Sequence, residues 1–364
     1  MDINDKRYLF TKDKPRVKFY SFTYFADCYD SDGDGVSTVE DNLKEIETVV
    51  KEGYVTTMYV NPVDNEEGRY KFRKIIEICK KYDVPYWLIL NIFKSKEQSI
   101  DDYMDGVSKL ISIINDTPYG YDLLCGFYWD EPFNKGITND DFFKMTEALY
   151  KKYRKRIYPV FSTNTLNERV IKSLNFDRHV EAPQTWALKY VTDAGGNNYC
   201  YDVRDEALDN QKQNARFAFL SKAYEADIKC AKDYYRYAHD EIMSKFDHPV
   251  NFWYYPTAYN SGCYTEIPTD EDYCVAITKY FYELLEETTA TWENQLKGGF
   301  AFFTYHSRVF HGLAKRLPIT IDSNPLCREE GFEDKWYKMN EFILELVKKY
   351  NKETDNIIYL GLNE

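Results

Sequence analysis

The sequence predicts an α/β fold, a single (β/α)8 TIM barrel that takes residues 1–364 as one domain. Three observations carry this expectation. Short apolar, aromatic or β-branched runs recur about eight times, amphipathic helical stretches fall between them, and the links are short. Near-continuous apolar runs suit strands of a parallel sheet covered on both faces. Strand–helix alternation with short links implies right-handed parallel crossovers, and eight units favour closure over an open sheet. A length of 364 residues would otherwise read as two domains, but barrels of this kind occupy it as one.

The expected strands are Val17–Phe25, Thr56–Asn61, Tyr86–Phe93, Leu123–Trp129, Ile157–Ser162, Leu188–Thr192, Val250–Tyr255 and Gly299–Tyr305. The sixth is the least defined. Between Asp177 and Asn214 the chain runs through Glu-Ala-Pro-Gln-Thr-Trp and Asp-Ala-Gly-Gly-Asn-Asn, which reads as a long loop that shapes a site. Helices are expected at Asn42–Lys51, Tyr70–Tyr82, Asp141–Lys155, Asn167–Ser173, Asn214–Lys245, Glu271–Glu287 and Glu333–Asn351. Capping-box spacings open several, at Ser37…Glu40, Thr165…Glu168 and Thr269…Asp272.

Composition excludes several classes of partner. The formal charge is −13, from 47 basic and 60 acidic residues, which argues against a nucleic acid because phosphate binding needs clustered Lys and Arg. The longest basic run, Lys151-Lys152 with Arg154, Lys155 and Arg156, falls late in an expected helix and is read as facing water there. No apolar stretch reaches 18 residues, so no membrane partner is expected. The eight cysteines form no C-x-x-C pair and read as buried, reduced thiols. The first residues lack an apolar signal core, so a cytoplasmic protein is expected unless a leader was removed. Many of the 34 Tyr, 23 Phe and 6 Trp are expected in the core, and so much Tyr and Trp also suits a site that stacks on flat apolar faces such as the C–H faces of sugars.

In a barrel of this kind the strand ends gather at the C-terminal mouth. Strand four ends in Tyr128-Trp129-Asp130-Glu131-Pro132. Adjacent carboxylates after a buried strand are poorly explained by packing, since burying charge without partners is costly. Close carboxylates also disfavour a second negative charge, the property a general acid for glycosidic cleavage uses. The competing reading is a solvent-facing acidic pair at a helix start. Other strand ends offer polar or aromatic groups suited to a sugar cleft: Tyr24, Tyr59, Asn61, Asn91, Trp129, Asn164, Trp253, Tyr255, Tyr305 and His306. Trp253 and Tyr255 are expected to face the barrel interior, and Trp129 to join them at the mouth.

Asp130-Glu131-Pro132 resembles the strand-four Asn-Glu-Pro signature of clan A retaining glycoside hydrolases, with Asp in place of Asn. The resemblance implies a carbohydrate substrate, Glu131 as acid/base and Asp130 as its partner. It also implies a nucleophilic Glu ending strand seven, where this sequence reads Asn251-Phe-Trp-Tyr-Tyr-Pro-Thr-Ala-Tyr259, with no carboxylate. Three explanations stay open. A loop carboxylate supplies the nucleophile, with Glu266, Asp193 and Glu181 as candidates. The substrate's acetamido group does so, as in hexosaminidase- and chitinase-type barrels, with Tyr255 nearby. Or the chain is a catalytically inactive carbohydrate-binding barrel. A lyase or aldolase reading is weaker, because no strand end offers a Schiff-base Lys.

The segment Asp30-Ser-Asp32-Gly-Asp34-Gly35-Val36 has acidic residues at loop positions 1, 3 and 5 and Gly at 6. Three hard oxygens on alternate residues converge on one cation, the Val36 carbonyl supplies position 7, and Asp41 falls at position 12. The pattern resembles the calcium loops of amylase-type glucosidases and of dockerins, which implies a structural Ca2+ beside the mouth. The bland alternative is an acidic turn ahead of the first helix, with Ser37 as N-cap. If Asp30, Asp32 and Asp34 share a Ca2+ at roughly 2.3–2.6 Å, chelation lowers the melting temperature and added calcium restores it. An unchanged melting curve in chelator removes the ion.

Overall fold

The computed structural model describes residues 19–22, 38–90, 99–162, 165–166, 168, 171–172, 179–197, 236, 238–255, 284, 287–288, 290–296 and 298–302. The expectations for Tyr24, Asp30, Asp32, Asp34, Val36, Asn91, Asn164, Glu266, Tyr305 and His306 lie outside these residues.

Eight strands form one sheet: β1 Phe19–Phe22, β2 Met58–Val60, β3 Tyr86–Ile89, β4 Leu124–Asp130, β5 Arg156–Ser162, β6 Asp193–Asn197, β7 Asn251–Tyr254 and β8 Gly299–Phe302. Their order is β1-β8-β7-β6-β5-β4-β3-β2 and every pair is parallel. The two ends of that order, β1 and β2, lie against one another and close the barrel. The α-helices bounded among the described residues are α1 Val39–Lys51, α2 Glu66–Tyr82, α3 Ile100–Asn115, the short α4 Gly120–Leu123 and α5 Asn139–Tyr153. The α/β single-barrel expectation therefore holds.

Local chemistry explains the helix starts. Thr38 caps α1: its hydroxyl accepts from the Asp41 N–H, and Asp41 accepts in turn from the Thr38 N–H. The capping box thus sits one residue later than the expected Ser37…Glu40. Helix α3 falls outside the expected helices. It forms on a Ser99–Asp102 capping box and buries Tyr103, Val107, Ile111 and Ile114.

Two apolar clusters follow from the closed sheet. One lies between strands and helices and includes Ile46, Val49, Phe72, Ile76, Val107, Phe127, Trp129, Phe142, Leu149 and Phe252. The other is enclosed by the strands and holds Tyr59, Trp87, Ile89, Cys125, Tyr128, Tyr158, Val160, Trp253, Tyr255, Leu296 and Ala301. Alternation sorts β2, β3, β5 and β7 between them. Strand β4 is the exception, because its pairing slips. Tyr86 lies opposite Leu124, yet the next residue, Trp87, lies opposite Gly126. Cys125 is the extra residue, a bulge in a parallel pair. Both Cys125 and Gly126 face inward, and a Cβ on Gly126 would stand 2.5 Å from the Trp87 ring. Beyond the bulge the parity is inverted, so Tyr128 points in and Trp129 points out.

Two sequence readings need correction. The expected sixth strand, Leu188–Thr192, is instead the end of a 3-10 turn, Thr185–Leu188, and its exit. The strand is Asp193–Asn197, the stretch read as loop. Its glycines hid it: a Cβ on Gly195 would meet Tyr255 Cε2 at 2.7 Å and Tyr158 Cε2 at 3.1 Å, so the position must stay bare. The basic run is also split. Lys151 and Lys152 are exposed in the last turn of α5, but Lys155 and Arg156 are buried. Burial pushes the Lys155 amine down to about 8. Its ammonium lies 4.5 Å from the Tyr121 ring centroid.

Arg156 opens β5 inside the barrel and pairs with Asp193, which opens β6. The guanidinium also lies 5.1 Å from the Trp87 ring centroid. Asp193, 0 % exposed, accepts further bonds from Thr192 Oγ1 at 2.7 Å and Trp253 Nε1 at 3.0 Å. Removing one member of such a buried pair strands the other charge. Asp193→Ala is therefore expected to cost about 3–5 kcal/mol, read from urea unfolding. A loss below about 1 kcal/mol would mean the pair behaves as if it were at the surface.

Candidate functional site

Inside the barrel, aromatic rings are layered. Trp87 and Trp253 lie low, their centroids 6.5 Å apart, beside the Arg156–Asp193 pair. Above them Tyr59, Tyr128, Tyr158 and Tyr255 form one group. Tyr128 packs edge-on against Tyr59 at 4.7 Å and Tyr158 at 5.3 Å. The Tyr255 hydroxyl lies 2.5 Å from that of Tyr158 and 3.3 Å from that of Tyr59. Desolvation is the first cause that raises the Tyr158 and Tyr255 phenols well above their ordinary range. These hydroxyls stay protonated, and each is tied to a neighbouring hydroxyl.

The carboxyl pair sits where β4 ends. The inverted parity places Asp130 on the same side as Tyr128. The next residue, Glu131, has φ 48° and is only 5 % exposed. A left-handed backbone at a non-glycine residue is costly by roughly 1–2 kcal/mol, and here a tight turn imposes it. Lys135 N–H donates to the Glu131 carbonyl at 3.1 Å and to the Pro132 carbonyl at 3.2 Å, and Gly136 N–H donates to the Phe133 carbonyl. Phe133 anchors the turn against Phe142 and Phe161. The turn returns two side chains to the pair: Asn134 Nδ2 donates to Glu131 Oε2 at 2.8 Å, and Lys135 Nζ lies 3.0 Å from Asp130 Oδ2. Asn134 and Lys135 were missed from sequence; the signal was their spacing of three and five residues from the carboxylates they serve.

The structure places the other candidates as follows. Tyr59 and Tyr255 face inward and meet through their hydroxyls. Trp253 also faces inward, as expected, but is 1 % exposed, and its indole N–H is spent on Asp193. It belongs to the barrel filling beneath the tyrosines. Trp129 does not reach the mouth. It packs between Tyr103 and Phe142 in the helical layer, because the β4 bulge turns it outward. Asn61 is exposed just past β2. Asp193 lies at the opposite end of the barrel from Glu131, at the start of its strand, so the structure does not bring these two together. Glu181 is at the same end as Glu131 but binds the Asn139 N–H at the first turn of α5, a carboxylate on a helix N-terminus. Asp41, at the twelfth position of the acidic loop, accepts from the Thr38 hydroxyl at 2.6 Å. Among the described residues no three His, Cys, Asp or Glu side chains group to hold a metal, and no helix is long and apolar enough to cross a membrane. Cys79 and Cys125 are buried free thiols, each pushed up to about 12 by burial.

No family model matches this chain, and no curated protein matches it. Solved structures do. A variant of GH5_18 from Streptomyces cattleya in complex with Manb1-4GlcNAc aligns with a TM-score of 0.56 at 9% identity, covering 93% of this chain and 82% of that one. GH5_18 from Streptomyces cattleya in complex with GlcNAc aligns at 0.54 and 8% identity, covering 94% and 82%. At such identities the likeness is one of fold, and it defines the class: a parallel (β/α)8 barrel.

Trp253→Ala is expected to cost about 3–5 kcal/mol of stability, as large aromatic truncations in a packed interior do, with urea unfolding as the measure. Wild-type stability combined with lost sugar binding would return Trp253 to the role of a stacking platform.

Proposed function

We propose that this chain is a glycoside hydrolase acting on a carbohydrate, with Glu131 as general acid/base and Asp130 as its partner. The observation that carries the reading is the buried Glu131 held in a left-handed backbone where β4 ends. Active residues of this barrel class gather at that end of the strands, and strained backbone in an over-determined turn is a mark of functional sites. The bound sugars of the two GH5_18 structures support the substrate class. Tyr59 and Tyr255 would then underlie the sugar, and the exposed Asn61 would stand at its edge.

A second reading, a barrel that binds carbohydrate without cleaving it, is favoured by where the candidate nucleophiles lie. β7 and the Tyr255 that follows it carry no carboxylate, Asp193 is buried at the other end, and Glu181 is engaged by α5. A nucleophile, if the protein supplies one, would come from Glu266. A structural Ca2+ held by Asp30, Asp32, Asp34 and the Val36 carbonyl remains part of the proposal. Asp41 would join only by sharing a carboxylate that already accepts from Thr38.

Glu131→Gln keeps shape but removes the transferable proton. It is expected to lower hydrolysis of an alkyl glycoside by ~10²–10⁴-fold, with a smaller loss on nitrophenyl glycosides, whose leaving group needs little protonation. Full activity of a folded Glu131→Gln chain refutes the acid/base assignment. A wild-type chain that binds sugars but turns over no glycoside selects the second reading.

A further inference from the structure

The residues that follow the carboxyl pair in sequence are the ones that fold back onto it. We infer that Asn134 and Lys135 are its positioning residues: Asn134 orients Glu131 through a neutral amide, and Lys135 tethers Asp130 through a cation. The inference rests on the hydrolase reading for its purpose, but its geometry stands by itself.

Four observations converge. Asn134 Nδ2 donates to Glu131 Oε2 at 2.8 Å. Lys135 Nζ reaches both Asp130 Oδ2 at 3.0 Å and the Asp130 carbonyl at 2.5 Å, which fixes the lysine on the strand end and not on the side chain alone. The turn between them is closed by backbone bonds from Lys135, Gly136 and Ile137. Phe133, 1 % exposed, sits 4.9 Å from the Phe142 ring and stacks on Phe161 at 6.0 Å, so the turn is pinned to the core midway between the two carboxylates and their partners.

The two partners differ in kind, and the difference matters chemically. An amide N–H donates to a carboxyl oxygen without bringing charge, so Asn134 aims Glu131 without placing a cation beside it. An ammonium is a point charge with three donors, so Lys135 holds Asp130 through both its carboxylate and its carbonyl. The Lys135–Asp130 pair is partly exposed, with side chains 40% and 26% accessible, so it adds little to stability. Its consequence is therefore one of geometry. One five-residue turn gives neighbouring carboxylates unlike surroundings, the arrangement that separates their roles.

The test reads the carboxyl groups directly and then the reaction. With residue-selective 13C-carboxyl labelling at fixed pH, Asn134→Ala is expected to move the Glu131 resonance and leave that of Asp130 in place. Lys135→Met moves Asp130 and leaves Glu131, and Lys135→Arg returns Asp130 close to its wild-type position. In kinetics, Asn134→Ala lowers kcat on an alkyl glycoside by about 10–100-fold, the loss expected from a misplaced reacting group, with KM nearly unchanged and a smaller loss on a nitrophenyl glycoside. Carboxyl resonances that stay put in both variants overturn the inference whatever the activity. So does an equal loss of kcat on both substrates with a lowered melting temperature, the outcome of a merely structural turn. Resonances that move as stated in a wild-type chain inert to every glycoside support the positioning and remove the hydrolase reading instead.

Discussion

A closed sheet of eight parallel strands must fill its own interior, and the rest of this structure depends on how that is done. Side chains from every second position converge on one axis, where a void forfeits contact energy and an unpartnered polar group costs more still. Here the space is taken by aromatic rings above one buried ion pair. Arg156 and Asp193 could not be left in such a place singly. They are tolerable because each answers the other, and because Trp253 and Thr192 donate to the carboxylate while the guanidinium lies over the face of Trp87. Above that pair the hydroxyls of Tyr59, Tyr158 and Tyr255 meet one another, so this layer of the filling is polar without being charged.

Much of this was legible in the sequence. Seven of the eight strands fall within or overlap the expected runs, because a strand buried on both faces needs the continuous apolar stretch that announces it. That Trp253 and Tyr255 share a face followed from simple alternation; that the face is the inner one was an assumption, and both side chains do lie in the strand-enclosed cluster. Two of the failures share a cause: where close approach of the backbone sets the residue, the sequence shows glycine, whose lack of a side chain hides the strand geometry. β6 was passed over for Gly195 and Gly196. The β4 bulge was hidden at Cys125-Gly126, and with it the outward turn of Trp129. Arg156 looked solvated because charge alone does not reveal a partner thirty-seven positions away.

The candidate site was legible in its chemistry and not in its support. Two adjacent carboxylates after a buried strand are conspicuous in any sequence. That Glu131 would take a left-handed backbone, and that Asn134 and Lys135 would return to the pair, depends on a turn whose geometry is set by Phe133 finding its place between Phe142 and Phe161. Local spacing makes those contacts possible, while the outer core makes them stable.

The bare face of Gly195 has a consequence for descent. The two rings that crowd it belong to Tyr158 and Tyr255, on the strands to either side, so three positions on β5, β6 and the end of β7 share one small volume. A lineage could enlarge residue 195 only after shrinking one of its neighbours, and a smaller residue at 158 or 255 would open room for a side chain there. Change at these sites is thus expected to come in compensated sets, and relatives that diverge almost everywhere else should still keep the total size of this trio nearly constant.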